Sequence, residues 1–292
     1  MTSHIQHCAD HLRQTDYGRY IAALMLEPRL RDAAFVLYAF HAKIREIPAL
    51  ISDPMPGEIR IQWWLDNITQ KTPLSGDPLA RALQELIVKY QVPVERFERL
   101  LQAHIFDLYS DPVTDRRTLE TYLGETFSCL LLLLVNIANQ ISERSSGENQ
   151  TSTIADACGH GGVFVGSVEL LKALPLHEHR KQVYFPRELS SSTRLEQPAN
   201  AADAVVTVNR AWLADIGQYA TGHRDRAMQA IALLPADIRA LFNVMALSGL
   251  ELEHISKRGM ALGKIAPRPS HLAIIWRLWK SKRMLAKISA AP

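Results

Sequence analysis

The chain has 292 residues, 47% of them apolar and 22% charged, with a net charge of +3. This composition excludes disordered and low-complexity classes, and the charge is too mild to point to nucleic acid. Cys8, Cys129 and Cys158 are too few and wrongly spaced for a disulfide framework or a zinc site, so they read as reduced thiols.

Apolar residues recur at three- and four-residue spacing along the whole chain, and sustained alternation is hard to find. The first sixteen residues are polar and hold histidines and acids. They lack the apolar core of a secretory signal and the Arg-rich, acid-poor character of a transit peptide, so the expectation is a cytoplasmic protein. Predicted helices follow at 4–15, 17–26, 29–47, 57–71, 78–90, 94–108 and 116–141. Asp77-Pro78 places a capping acid before a proline at the first helical position. Inside 116–141, the apolar run Cys129–Val135 is too short to span a bilayer and suits a buried core helix. Further helices are predicted at 152–174, 199–220, 223–233, 236–256 and 269–288. The polar stretches Ser142–Thr153 and Ser190–Ala202 read as surface loops, too short to separate domains. The expectation is a single all-α domain spanning residues 1–292.

Three segments carry residues that ask for an explanation. In 31–53, Tyr38, Ala42, Arg45 and Ala49 share one helical face, where a Tyr and an Arg could line a cavity or lie half exposed. In 155–186, Gly159, Gly161, Gly162 and Gly166 interrupt a helical pattern, each at a cost of about 1 kcal/mol relative to alanine. Either a neighbouring helix or a ligand must come close there. Gly162, Gly166, Glu169 and Ala173 fall on one stripe, and the basic cluster His177, His179, Arg180, Lys181 and Arg187 follows. Gly159-His160-Gly161 has neither the third glycine nor the preceding strand of a dinucleotide fingerprint. In 270–287, Ile274, Ile275, Leu278 and Leu285 stand against Arg277, Lys280, Lys282, Arg283 and Lys287. This pattern serves either a terminal helix packed on the core or a helix lying on a membrane surface.

The chain resembles the squalene/phytoene synthase family over nearly its full length. The residues that carry the resemblance are Asp16-Tyr17-Gly18-Arg19-Tyr20, Glu27-Pro28-Arg29, Arg31 through Leu37-Tyr38-Ala39-Phe40, Pro56 through Trp63-Trp64, and Val183-Tyr184-Phe185-Pro186. The last is similar to the VYLP segment of the family. The resemblance implies an isoprenoid synthase-like helical bundle around a central cavity. It also implies joining of two prenyl diphosphates head to head, with Mg²⁺ held by two D-x-x-x-D motifs on facing helices.

Those motifs are where the chain departs. Placed through Tyr38-Ala39-Phe40, the first pair of aspartates falls on Arg45 and Ala49. Placed back from Tyr184-Phe185-Pro186, the second falls on Ala173 and His177. Four carboxylates give way to a positive balance, and only Glu169 remains among basic neighbours, so no metal site and no resident cofactor are expected. The same replacements resemble a subgroup of the family that includes a complex I assembly factor. The leading expectation is therefore a non-catalytic assembly factor, or lipid- or isoprenoid-binding factor, linked to respiratory complex I. Its ligand would be a prenyl diphosphate or phospholipid, with complex I subunits as partners, peripheral membrane contact through the C-terminal helix, and no nucleic acid. Ligand contacts are expected from Tyr38, Arg45, Gly162, Gly166, Glu169, Lys172, His177 and Arg180. The alternative is an active head-to-head transferase, with Mg²⁺ or with metal-free activation by Arg45, Lys172, His177 and Arg180.

Overall fold

In the computed structural model, which describes residues 3–70, 76–144, 148–196, 206–262 and 264–288, nearly every element is a helix whose ends are written in local sequence. The first three helices are α1 (Ser3–Thr15), α2 (Tyr17–Leu24) and α3 (Pro28–Glu46). Asp16 caps α2 by accepting from the Arg19 N–H at 3.0 Å, and Pro28 opens α3, where a missing N–H costs nothing. Next come α4 (Pro54–Thr69), α5 (Pro78–Tyr90) and α6 (Val94–Ile105), with Asp77 capping α5 as expected. Helix α4 begins three residues before its predicted start, at Pro54.

The predicted helix 116–141 is continuous in the structure. It comprises α7 (Arg116–Leu123), a π-helical turn at Gly124–Ser128, and α8 (Cys129–Ile141). By length and composition this stretch could cross a bilayer, but 72% of its most apolar window lies inside the fold. Leu133, Leu134 and Ile137 are fully enclosed, as in a core helix.

The long helix α9 (Glu148–Lys172) runs through the middle of the bundle. Every residue from 161 to 171 is buried, because α8, the π turn, α11 (Arg210–Ala232) and α13 (Val244–Arg258) pack around it. A helix enclosed on all sides has no polar face to reveal its orientation. Helix α10 (Leu174–His179), α12 (Ala236–Leu241) and α14 (His271–Lys287) complete the helical set, and a two-stranded antiparallel ribbon pairs β1 (Leu195–Glu196) with β2 (Thr207–Val208).

Other boundaries also differ from expectation, and α9 starts at Glu148, inside the polar stretch expected to be a loop. The helices predicted at 199–220 and 223–233 are one helix, α11, which starts at Arg210 with Asn209 as its cap and runs through Gly222. The helix predicted at 236–256 breaks at Phe242-Asn243, where tight turns close on Arg239 and Ala240. Helix α10 replaces an expected loop after Pro175. Residue 71, the stretch 199–205 of the predicted helix, and parts of the two polar stretches (145–147 and 197–202) lie outside the described residues. All three cysteines are buried and free. Burial pushes the Cys8 thiol up to about 12 and that of Cys129 up to about 11, which leaves them unreactive.

Candidate functional site

A cleft of about 1020 Å³ opens between α2 and α3 on one side and α9 and α10 on the other. Residues of α13 and the segment leading into α14 close its remaining walls. Its charged groups are placed by ordinary helix chemistry. Arg45 sits in the last turn of α3 and Lys172 in the last turn of α9, where cations are favoured by the helix dipole. Glu169 lies one turn before Lys172, on the same face. Helix α2 contributes its cap Asp16 and the buried Arg19, and α13 contributes Glu251.

These groups form one buried network around Glu169, whose side chain is 6% exposed. Arg45 donates to one carboxylate oxygen at 2.8 Å, and Lys172 donates to the other at 2.9 Å. Arg19 stands 3.8 Å from Glu169 and 3.5 Å from Asp16. Lys172 also reaches Glu251 at 2.7 Å. Burial opposes the charge on Glu169, but Lys172, Arg45 and Arg19 overcome it and hold the carboxyl well below its usual range. Burial likewise opposes the charge of Lys172, and the two glutamates outweigh it and raise the ammonium. Glu251 goes the other way. Burial raises it to about 7 against the pull of Lys172, with Glu169 adding repulsion.

The four family positions keep a single positive charge, on Arg45, and the surrounding network sets other charges against it. Arg19, Arg45 and Lys172 face Asp16, Glu169 and Glu251, so the network is neutral when Glu251 is ionised and carries +1 when it is protonated.

The structure brings together Arg45, Glu169 and Lys172 of the expected set, with Ala173 lining the cleft beside them. The others lie elsewhere. Ala49 is exposed on a tight turn, Ile47–Leu50, because Pro48 ends α3 before that position. Tyr38 is buried in the core with its ring centre 5.8 Å from the Arg19 guanidinium. His177 packs its ring on Tyr184 with centres 4.6 Å apart, and burial lowers it to about 4, which keeps it neutral. Arg180 points away to donate to the Asp107 carbonyl at 3.1 Å.

Gly162 and Gly166 serve helix packing, not ligand volume. A Cβ on Gly162 would lie 2.3 Å from the Ser128 backbone, and one on Gly166 would lie 2.6 Å from Leu123 and Phe127. The π turn presses directly on α9 at these glycines, and Ser128 Oγ secures it by donating to the Gly159 carbonyl at 2.9 Å.

Sequence reasoning missed Asp16, Arg19 and Glu251 as members of the site. The first two lie inside the Asp16–Tyr20 segment that carries the family resemblance, so a signal existed for them. Glu251 had none. Also missed was a second buried hub at Asp107, which accepts from Tyr122 at 2.8 Å and Tyr184 at 2.5 Å, and pairs with His104 at 2.7 Å. Burial opposes ionisation of Asp107, but these partners hold it below the usual carboxylate range.

The donor set does not fit Mg²⁺. Both oxygens of Glu169 are taken by Arg45 and Lys172, and Lys172 also takes one oxygen of Glu251, leaving a single buried oxygen of these two carboxylates without a hydrogen-bond partner. A divalent ion there would have to displace these ion pairs and sit beside three fixed cations. Among the described residues, no group of three His, Cys, Asp or Glu side chains is disposed to hold a metal.

Comparison with known proteins gives a consistent picture. The family model for squalene/phytoene synthase matches residues 12–272. Complex I assembly factor 6 homolog of Drosophila melanogaster is 24% identical over 276 residues, covering 88% of this chain and 77% of that protein. Complex I assembly factor 6 of Bos taurus is 26% identical over 214 residues, covering 70% of this chain and 61% of that protein. Among solved structures, a dehydrosqualene synthase in complex with ligand superposes with a TM-score of 0.75 at 18% identity, over 97% of this chain and 96% of that one. A squalene synthase from Alicyclobacillus acidocaldarius superposes with a TM-score of 0.64 at 18% identity, over 88% of this chain and 94% of that one. The helical bundle expected from the sequence is thus the fold of these synthases.

Proposed function

The chain belongs to the squalene/phytoene synthase family, and from that premise we propose that it is a non-catalytic member acting in the assembly of respiratory complex I. The observation that carries this reading is the Arg45–Glu169–Lys172 network in the cleft. Head-to-head condensation implies a metal-held diphosphate, and here a cation replaces a metal-binding carboxylate while both oxygens of Glu169 are bound internally. The relatives named as complex I assembly factors support the direction of the reading. The work of such a factor lies at the membrane that holds complex I, so we place the chain against that membrane. The cleft is read as a receptor for an anionic amphiphile, a prenyl diphosphate or phospholipid, whose phosphate meets Arg45 and Lys172 directly through charge-assisted hydrogen bonds.

Two measurements test this. Incubation with farnesyl or geranylgeranyl diphosphate, Mg²⁺ and a reductant should yield no squalene, phytoene or cyclopropyl intermediate above background. Deletion in the source organism should lower assembled, NADH-oxidising complex I while leaving polyprenoids intact. Robust condensation, or lost polyprenoids with normal complex I, would reverse the reading.

A further inference from the structure

The C-terminal helix α14 has two apolar faces, and only one of them is used by the fold. Ile274, Leu278, Ser281 and Leu285 are buried against the bundle, where α2, α12 and α13 pack on α14. These include most of the apolar residues that suggested an amphipathic surface in the sequence, so that face is core. A second stripe, Leu272, Trp276, Trp279 and Arg283, follows the spacing i, i+4, i+7, i+11 and lies about 160° around the helix from the first. Leu272 is 78% exposed, Trp276 64% and Trp279 40%. The two indoles stack on each other with ring centres 5.2 Å apart, and the Arg283 guanidinium lies 4.6 Å from the Trp279 ring centre.

We infer that this ridge docks the protein on an anionic lipid bilayer surface. Two tryptophans held side by side in water are costly unless they meet an apolar phase. Indoles suit the headgroup level of a bilayer, being apolar in body and polar at one edge. The charges around them select the sign of the partner. Lys280 and Lys287 flank the ridge on one side and Lys282 on the other, all exposed. Arg277 is already committed to Glu253 at 2.7 and 2.9 Å, and residues 271–287 contain no acid. A second copy of the chain would bring like charges together, which disfavours self-association through this face.

The ridge also begins at the cleft. His271, the residue before Leu272, lines the cleft wall, as does Ile265, which is 79% exposed. The docking surface stands on its own observations and does not depend on what the cleft holds.

The test is flotation of the full chain with phosphatidylcholine vesicles, with or without added phosphatidylglycerol. The expected result is binding to the anionic vesicles, a blue shift of tryptophan emission, and weakening as salt rises. Trp276→Ser/Trp279→Ser should lower binding at least about tenfold, and so should Lys280→Glu/Lys282→Glu, since each basic residue near an anionic surface counts for about fivefold. The thermal midpoint should stay unchanged in both variants, because the altered side chains are exposed. Binding as strong as the wild type by either variant, or no binding to either vesicle, would overturn the inference. So would a dimer or a complex with an acidic protein that requires the tryptophans while vesicles do not.

Discussion

Replacing Glu169 by Gln should make the protein less stable and, at the same time, a better anion receptor. Glu169 is the anion shared by Arg45, Lys172 and Arg19. Removing one member of a buried ionic group costs about 3–5 kcal/mol, because the partners stay desolvated. The lower end applies here. Lys172 keeps Glu251 at 2.7 Å, Arg19 keeps Asp16 at 3.5 Å, and Arg45 is 25% exposed and can turn to water. A loss of about 3 kcal/mol corresponds to a fall of roughly 6 °C in the melting temperature of a chain of this size. The effect on binding has the opposite sign. The network moves from neutral to +1, and a phosphate about 5 Å from the lost carboxylate is freed of repulsion worth ~3 kcal/mol at an effective dielectric of ~20. Water at the open cleft screens part of this, leaving an expected gain in affinity of about tenfold. Thermal melting and titration with farnesyl diphosphate measure the two effects separately. Unchanged stability would show that the network does not hold the helices together. Weaker binding would show that Glu169 itself contacts the ligand, and either result would refute the reasoning.

Four further outcomes are expected. Gly162→Ala should destabilise the protein by about 2–3 kcal/mol, read from its urea midpoint, because the new methyl meets Ser128 backbone and the helix must shift; wild-type stability would show slack between α9 and the π turn. Anion affinity should rise as pH falls from about 8 to 6, because Glu251, which burial raises to about 7, loses its charge there and leaves the network at +1. The Glu251→Gln variant should flatten that profile, which separates the effect from protonation of the ligand. In the folded protein this carboxyl holds its proton up to about 7, against 4.5 ordinarily, so its contribution to stability should fall as pH rises through that window and level off above it. Binding of farnesyl diphosphate should survive EDTA, since Arg45 and Lys172 supply the charge directly; a strict requirement for Mg²⁺ would contradict the donor set.

How much of this was legible in the sequence depends on the range of the interaction concerned. The starts of α2, α3 and α5 were readable because their causes are local: Asp16 and Asp77 meet N–H groups three residues on, and Pro28 and Pro78 set a backbone angle at their own position, whereas the starts of α4, α9 and α11 were not. The family fold was readable because the residues that carry the resemblance keep their order and spacing along the chain. The bundle's interior was not. Glycine in a helix has the same appearance whether a ligand or a neighbouring helix comes close, and only the placement of Ser128 and Phe127 against α9 decided that Gly162 and Gly166 serve packing. Helix α14 shows the same ambiguity, since its two apolar stripes differ only in which one the bundle covers. The charged site needed the tertiary structure most. Arg45 and Glu169 lie 124 residues apart, and Glu251 stands further along on another helix. The family resemblance placed Arg45, Ala49, Ala173 and His177 at the metal-binding positions, so that one cation and no carboxylate stood there. Whether that cation would stand free or be neutralised depended on which helices packed side by side, because charge interactions act through space and decay over a few ångströms whatever the separation along the chain.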